Sequence, residues 1–151
     1  MISIRHSRPD EGQRALEIWR RAVDATHDFL SAEDRQAIDA MVSDFLPQAP
    51  LWFAVDESDH PWAFMLLDKD HLEALFVDPE RHGTGLGSAL IRHALTMHPR
   101  MTTDVNEQNP RALGFYQKMG FQPTGRSALD GQGRPYPLIH LQYTAPSLHI
   151  D

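Results

Sequence analysis

Three glycines at alternate positions, Gly83, Gly85 and Gly87, follow a short apolar run, Leu75-Phe76-Val77, and a stop at Asp78-Pro79. Apolar residues then recur at helical spacing through Leu86, Leu90, Ile91, Ala94 and Leu95. The pattern predicts a strand, a glycine loop and a helix from about Gly85 to Met97. Glycine lets the backbone approach a ligand in conformations closed to other residues. A helix start adds unpaired N–H groups and about half a positive charge. The chemistry this supports is anion binding, a phosphate above all, on His82-Gly83-Thr84-Gly85-Leu86-Gly87-Ser88. Two familiar phosphate patterns do not fit. Ser88 or Leu90 stands where the dinucleotide pattern needs its third glycine, and no Lys-Ser/Thr pair follows the loop as a P-loop requires.

Composition narrows what such a loop can serve. The chain has 151 residues, 41% of them hydrophobic and 23% charged, the balance of one soluble globular domain spanning 1–151. It has no cysteine, which excludes a disulfide framework, thiolate metal ligands and a cysteine nucleophile. A net charge of −7 argues against nonspecific nucleic-acid binding and against anionic membranes as partners. Apolar runs are too short to span a bilayer, and Met1-Ile2-Ser3-Ile4-Arg5-His6 lacks a signal-peptide core, so a cytoplasmic location is expected. Nine histidines raise the question of metal, but His93 and His98 are five apart on different helix faces, and no metal site is predicted.

The elements that must position the loop read as follows. Ile2–Arg5 alternates as a first strand. Ala15, Ile18, Trp19, Ala22, Val23 and Ala25 mark an amphipathic helix from Pro9 to about Thr26. After a break at 26–30, Ser31 with Asp34 caps a second helix running to about Leu46. Residues 51–56, 62–67 and 71–77 form an antiparallel meander, and Met101–Val105 is a further strand. Asn109-Pro110 starts a helix that ends at Gly120. Phe121–Leu129 and Leu138–Tyr143 pair as a hairpin across Asp130–Gly133.

The loop resembles motif A of the GCN5-related N-acetyltransferases, Arg/Gln-x-x-Gly-x-Gly/Ala after a strand ending in Val-x-Pro, with His82 in place of the usual Arg or Gln and Arg81 beside it. The segment Asn109-Pro110-Arg111-Ala112-Leu113-Gly114-Phe115-Tyr116 through Gly120-Phe121 fills every fixed position of motif B, Asn-x-x-Ala-x-x-Phe-Tyr-x-x-x-Gly-Phe. The whole chain is similar to small enterobacterial members whose proposed activity is acetylation of protein lysines. The resemblance implies an α/β fold in one domain: a mixed central sheet of about six to seven strands, with strands 4 and 5 splayed, flanked by about four helices. It implies acetyl-CoA (coenzyme A) as cofactor, direct transfer to a primary amine in a ternary complex, and Tyr116 as the general acid for the leaving thiolate. It also implies a backbone N–H of Leu75-Phe76-Val77 as the oxyanion donor, and Asn109 as a support for the pantetheine arm or the strand end.

An attacking amine must first lose a proton, since a lysine amine with pKa near 10.4 is mostly protonated at neutral pH. His71, Glu73, Asp104 or an ordered water chain are the alternatives for this base, and they remain open here. His27, Phe29, Leu30 and Tyr136 are candidates for the acceptor wall, with simple packing as the alternative for each. The resemblance implies as acceptor a protein lysine, a protein N-terminus, a polyamine or an antibiotic amine. A non-catalytic acetyl-CoA sensor is the rival class, and the oligomer is a monomer or a homodimer.

Overall fold

The computed structural model describes residues 2–144. Its elements are β1 (Ser3–His6), α1 (Gly12–Thr26), α2 (Ala32–Phe45), β2 (Trp52–Val55), β3 (Pro61–Asp68) and β4 (His71–Val77). They continue with α3 (Leu86–Met97), β5 (Thr102–Asn106), α4 (Pro110–Lys118), β6 (Phe121–Ser127) and β7 (Leu138–Tyr143). The seven strands form one mixed sheet in the hydrogen-bonded order β1-β2-β3-β4-β5-β7-β6. The four helices and seven strands match the expected fold. The chain packs as two compact units: residues up to Leu67 with Glu73–His93, and Asp68–Leu72 with Ala94 onward.

In the first unit α1 buries Ala22 and packs Ala15, Leu16, Ile18, Trp19 and Val23 into one core with Phe53 and Phe64 of the sheet. Leu16 is on this face, whereas Ala25, expected there, is exposed. Pro9–Glu11 form a separate 3-10 turn ahead of α1, where a single helix had been expected. Ser31 caps α2 by accepting the Asp34 N–H at 3.0 Å, as the spacing predicts. Arg35 pairs with Asp24 and Asp39, and Arg20 with Asp39, tying α1 to α2.

In the second unit β5 runs antiparallel to β7, with Asp104 opposite His140, and β7 pairs with β6. β6 is the sheet's last strand, the position that tolerates Pro123, and its register shifts between Pro123 and Gly125. Two boundaries differ from expectation. α4 stops at Lys118, because Gly120 takes φ +107, outside helical geometry. β6 stops at Ser127, because the Asp130 carboxylate accepts the Gln132 and Arg134 N–H groups and folds 130–134 into a turn. β4 runs parallel to β5, paired at His71↔Thr102 and Leu72↔Thr103.

Candidate active site

The glycine loop lies in the first unit, between β4 and α3. Gly83 and Gly85 have φ +76 and +87, and a Cβ added at either would meet no atom within 4 Å. Glycine is therefore required by backbone geometry, and the space beside both residues is open to a ligand. Ala89 N–H reaches Gly85 O at 3.0 Å, so the N–H groups of Leu86, Gly87 and Ser88 precede the first helical bond and have no intrahelical partner. His82 is exposed at the loop's start, while the Arg81 guanidinium stacks 4.1 Å from the Trp62 ring centre.

Asp78 holds the loop in place. It is 1% exposed; its backbone N–H donates to Trp62 O at 2.8 Å, and its carboxylate accepts from Glu80 N–H at 3.0 Å. Arg14 and Arg21 of α1 complete its shell at 3.1 and 3.2 Å. Burial pushes the Asp78 carboxyl up, but the Glu80 N–H and the two guanidinium groups outweigh this and hold it below the usual range. A depressed carboxylate pKa gives stability that is present above the unfolded value of about 3.9 and lost as pH falls through the folded one. Asp78→Asn is expected to cost about 2 kcal/mol at neutral pH, discounted from a fully buried pair because Arg21 is part-exposed. In thermal melts between about pH 5 and about pH 3 the wild type should lose more stability than the variant. Parallel losses in both proteins would show that Asp78 is not the titrating clamp.

Tyr116 lies on α4 in the second unit, 8% exposed, with the Phe115 and Phe121 rings edge-on at 5.2 and 5.5 Å. Burial pushes its phenol well above the ordinary range, opposed by a hydrogen bond with Thr103. An ordinary tyrosine is already protonated at neutral pH, and burial moves this one further from ionising. Asn109 spends its side-chain oxygen on the Ala112 N–H, 3.2 Å away, as the helix cap. Three residues earlier, Asn106 Oδ1 is buried with no hydrogen-bond partner among the described residues. Nothing in the spacing of Asn106 distinguishes it from an ordinary strand end.

The structure brings two of the base candidates together. His71 Nε2 lies 3.4 Å from Asp104 Oδ2, while Glu73 is exposed two residues along β4. Two residues absent from the sequence reading extend the group. His140 Nδ1 is 2.5 Å from Asp104 Oδ1, and Ser127 Oγ is 2.6 Å from His140 Nε2. Only the strand register places His140 opposite Asp104, and β7 lies 36 residues further along the chain. Because successive strand residues alternate faces, Asp104 points away from the β5 face on which Thr103 meets Tyr116.

Of the acceptor-wall candidates, His27 in the first unit packs 5.2 Å from Phe29 and 6.3 Å from Phe76. Burial pushes its imidazole below the usual value, against a weaker pull from Asp28. Thr26 Oγ1 donates to Ala22 O, so it accepts from His27 Nδ1–H, leaving Nε2 as an acceptor. Leu30 packs against the core. Tyr136, in the second unit, is buried. Among the described residues no three His, Asp or Glu side chains are grouped as metal ligands.

In chain order the mixed sheet carries an open glycine loop after β4 and a helix bearing the buried Tyr116 after β5. The chain belongs to the acetyltransferase (GNAT) domain family, whose model matches residues 47–123, and it is an N-acetyltransferase. It is 57% identical to the peptidyl-lysine N-acetyltransferase YjaB of Salmonella typhimurium, over 95% of this chain and 99% of that one. The solution structure of apo YjaB from Escherichia coli superposes with a TM-score of 0.92 at 55% identity, covering 97% and 99% of the two chains. The fold is shared at 16% identity and a TM-score of 0.75 with the PaiA N-acetyltransferase of Thermoplasma acidophilum, solved in complex with coenzyme A, over 95% and 98% of the two chains. Members of this family use acetyl-CoA.

Proposed function

We propose that this protein acetylates lysine side chains of proteins, by direct attack of the amine on acetyl-CoA in a ternary complex. The observation that carries the reading is Tyr116, buried on α4 at the second motif of a chain 57% identical to a named peptidyl-lysine N-acetyltransferase. When bound, acetyl-CoA supplies the thioester carbonyl that the amine attacks and the sulfur that leaves. The residues present fit it. His82, Gly83, Thr84, Gly85, Leu86, Gly87 and Ser88 offer open backbone and unpaired N–H groups to a pyrophosphate. The backbone of Leu75, Phe76 and Val77 serves the pantetheine arm, and its N–H groups the developing oxyanion. Asn106 Oδ1 offers an acceptor to a pantetheine amide, and Asn109 keeps α4 ordered as its cap. Tyr116 gives its proton to the sulfur. We assign residues 1–151 to one catalytic domain acting in the cytoplasm as a monomer or homodimer.

Thiol release from acetyl-CoA by purified protein tests this, with lysine peptides, polyamines and aminoglycosides as acceptors. The chain has no cysteine, so a thiol reagent sees only released coenzyme A. Release that requires the lysine peptide is the expected result. Release only with small amines would move the substrate class. Failure of acetyl-CoA to raise the melting temperature would remove the cradle assignment.

A further inference from the structure

Ser127, His140, Asp104 and His71 form one line of polar side chains across β6, β7, β5 and β4 of the second unit. Its two ends differ. At the His140 end Asp104 Oδ1 takes the Nδ1–H, which leaves Nε2 to accept the Ser127 hydroxyl. That end is closed. At the other end His71 Nδ1 is engaged by Thr102 Oγ1 at 2.7 Å, while Nε2 and Asp104 Oδ2 approach to 3.4 Å without a hydrogen bond. His71 and Asp104 side chains are 29% and 34% exposed, so this end meets solvent. With Nδ1–H donated to Thr102 Oγ1, Nε2 and Asp104 Oδ2 are two acceptor atoms side by side, and they suit a group with positive charge and at least two N–H donors. A primary ammonium is such a group. Asp104 is also the first β5 residue after the last β4–β5 pair, Leu72↔Thr103.

We propose that Asp104 Oδ2 and His71 Nε2 seat the acceptor ammonium and that His71 is the base that deprotonates it; the inference rests on the function proposed above. One ammonium N–H bond donates to Asp104 Oδ2. A second breaks, its proton forming a bond to His71 Nε2 and its electron pair staying on nitrogen for attack. The imidazolium is held by Asp104 and returns its proton to solvent after turnover. His71 Nδ1–H donates to Thr102 Oγ1 in this state, which fixes the tautomer. His140 and Ser127 are positioning residues that orient the carboxylate through Oδ1. The ionisable groups facing His71 are Asp104 from β5, His140 of β7 behind it, and Glu73 on the same face of β4.

The first measurement needs no cofactor. Imidazole 15N spectra of the apo protein should show His71 as the Nδ1–H tautomer, and Nα-acetyl-lysine amide should shift its Nε2 resonance in wild type but not in Asp104→Asn. An Nε2–H tautomer, or an unshifted Nε2 in the wild type, overturns the proposal. The second measurement compares a lysine peptide with methoxyamine, which is already unprotonated at neutral pH and needs no base. His71→Gln should lose about a hundredfold in kcat/KM with the peptide and less than about threefold with methoxyamine. His140→Gln should show the same selectivity at smaller amplitude with an unchanged melting temperature. Equal losses with both acceptors, or covalent labelling of Ser127 by a fluorophosphonate, would sink the base assignment while leaving the acetyltransferase reading intact. No turnover by the wild type with either acceptor would remove both.

Discussion

Tyr116→Phe is expected to lower kcat/KM for a lysine peptide by about a hundredfold or more while acetyl-CoA still raises the variant's melting temperature. The ring of phenylalanine fills the same space between Phe115 and Phe121, so packing is kept. Only the hydroxyl and its bond with Thr103 are lost, a net cost to stability of about 1 kcal/mol. On the proposed acid role the chemical loss is larger, because the departing thiolate then has no positioned proton donor. Burial also fixes the pH behaviour. The folded phenol keeps its proton to higher pH than the ordinary value of about 10. The tyrosine's contribution to stability is therefore complete below about pH 10 and declines as pH rises beyond it. Alkaline melts should fall more steeply for the wild type than for the variant. A variant rate within about threefold of wild type would remove Tyr116 from the mechanism.

Gly120→Ala should be the most damaging single-methyl change in the second unit. Gly120 has φ +107, a region in which an L side chain is strained, and its added Cβ would lie 2.9 Å from Tyr143 Cε1. Tyr143 packs at 5.6 Å on Phe121, so the ring has restricted room to move. Backbone strain and overpacking together give about 3 kcal/mol, or about 6–12 °C in melting temperature. Gly114 provides the control of opposite sign. It lies inside α4, a Cβ there meets nothing, and Gly114→Ala should add about 0.5–1 kcal/mol. Similar effects at both positions would mean that the contact with Tyr143 does not matter.

Much of this was legible in the sequence because its causes are local. The glycine loop, the Ser31 and Asn109 caps and the α3 stripe each depend on residues within a few positions of one another. The mixed sheet of about six to seven strands and the role of Tyr116 came from family resemblance, and the strand order from the structure. What sequence could not give is set by register between distant strands. Asp104 meets His140 only because β7 lies beside β5, and Asp78 meets Arg14 and Arg21 only because α1 returns over the end of β4. The shortened hairpin and the earlier end of α4 follow from turn chemistry at Asp130 and Gly120, which competes with strand and helix patterning.

The Asp78 clamp has a bearing on recognition as well as on folding. Asp78, at the base of the loop, is tied to α1 and β3 before a ligand arrives, so the segment starts from a fixed point. Ordering entropy that a slack loop would surrender on association has been spent during folding, so more of the contact energy remains as affinity. On the cradle assignment proposed above, Arg14 and Arg21, more than 55 residues from Asp78 in sequence, become determinants of how tightly a phosphate is held.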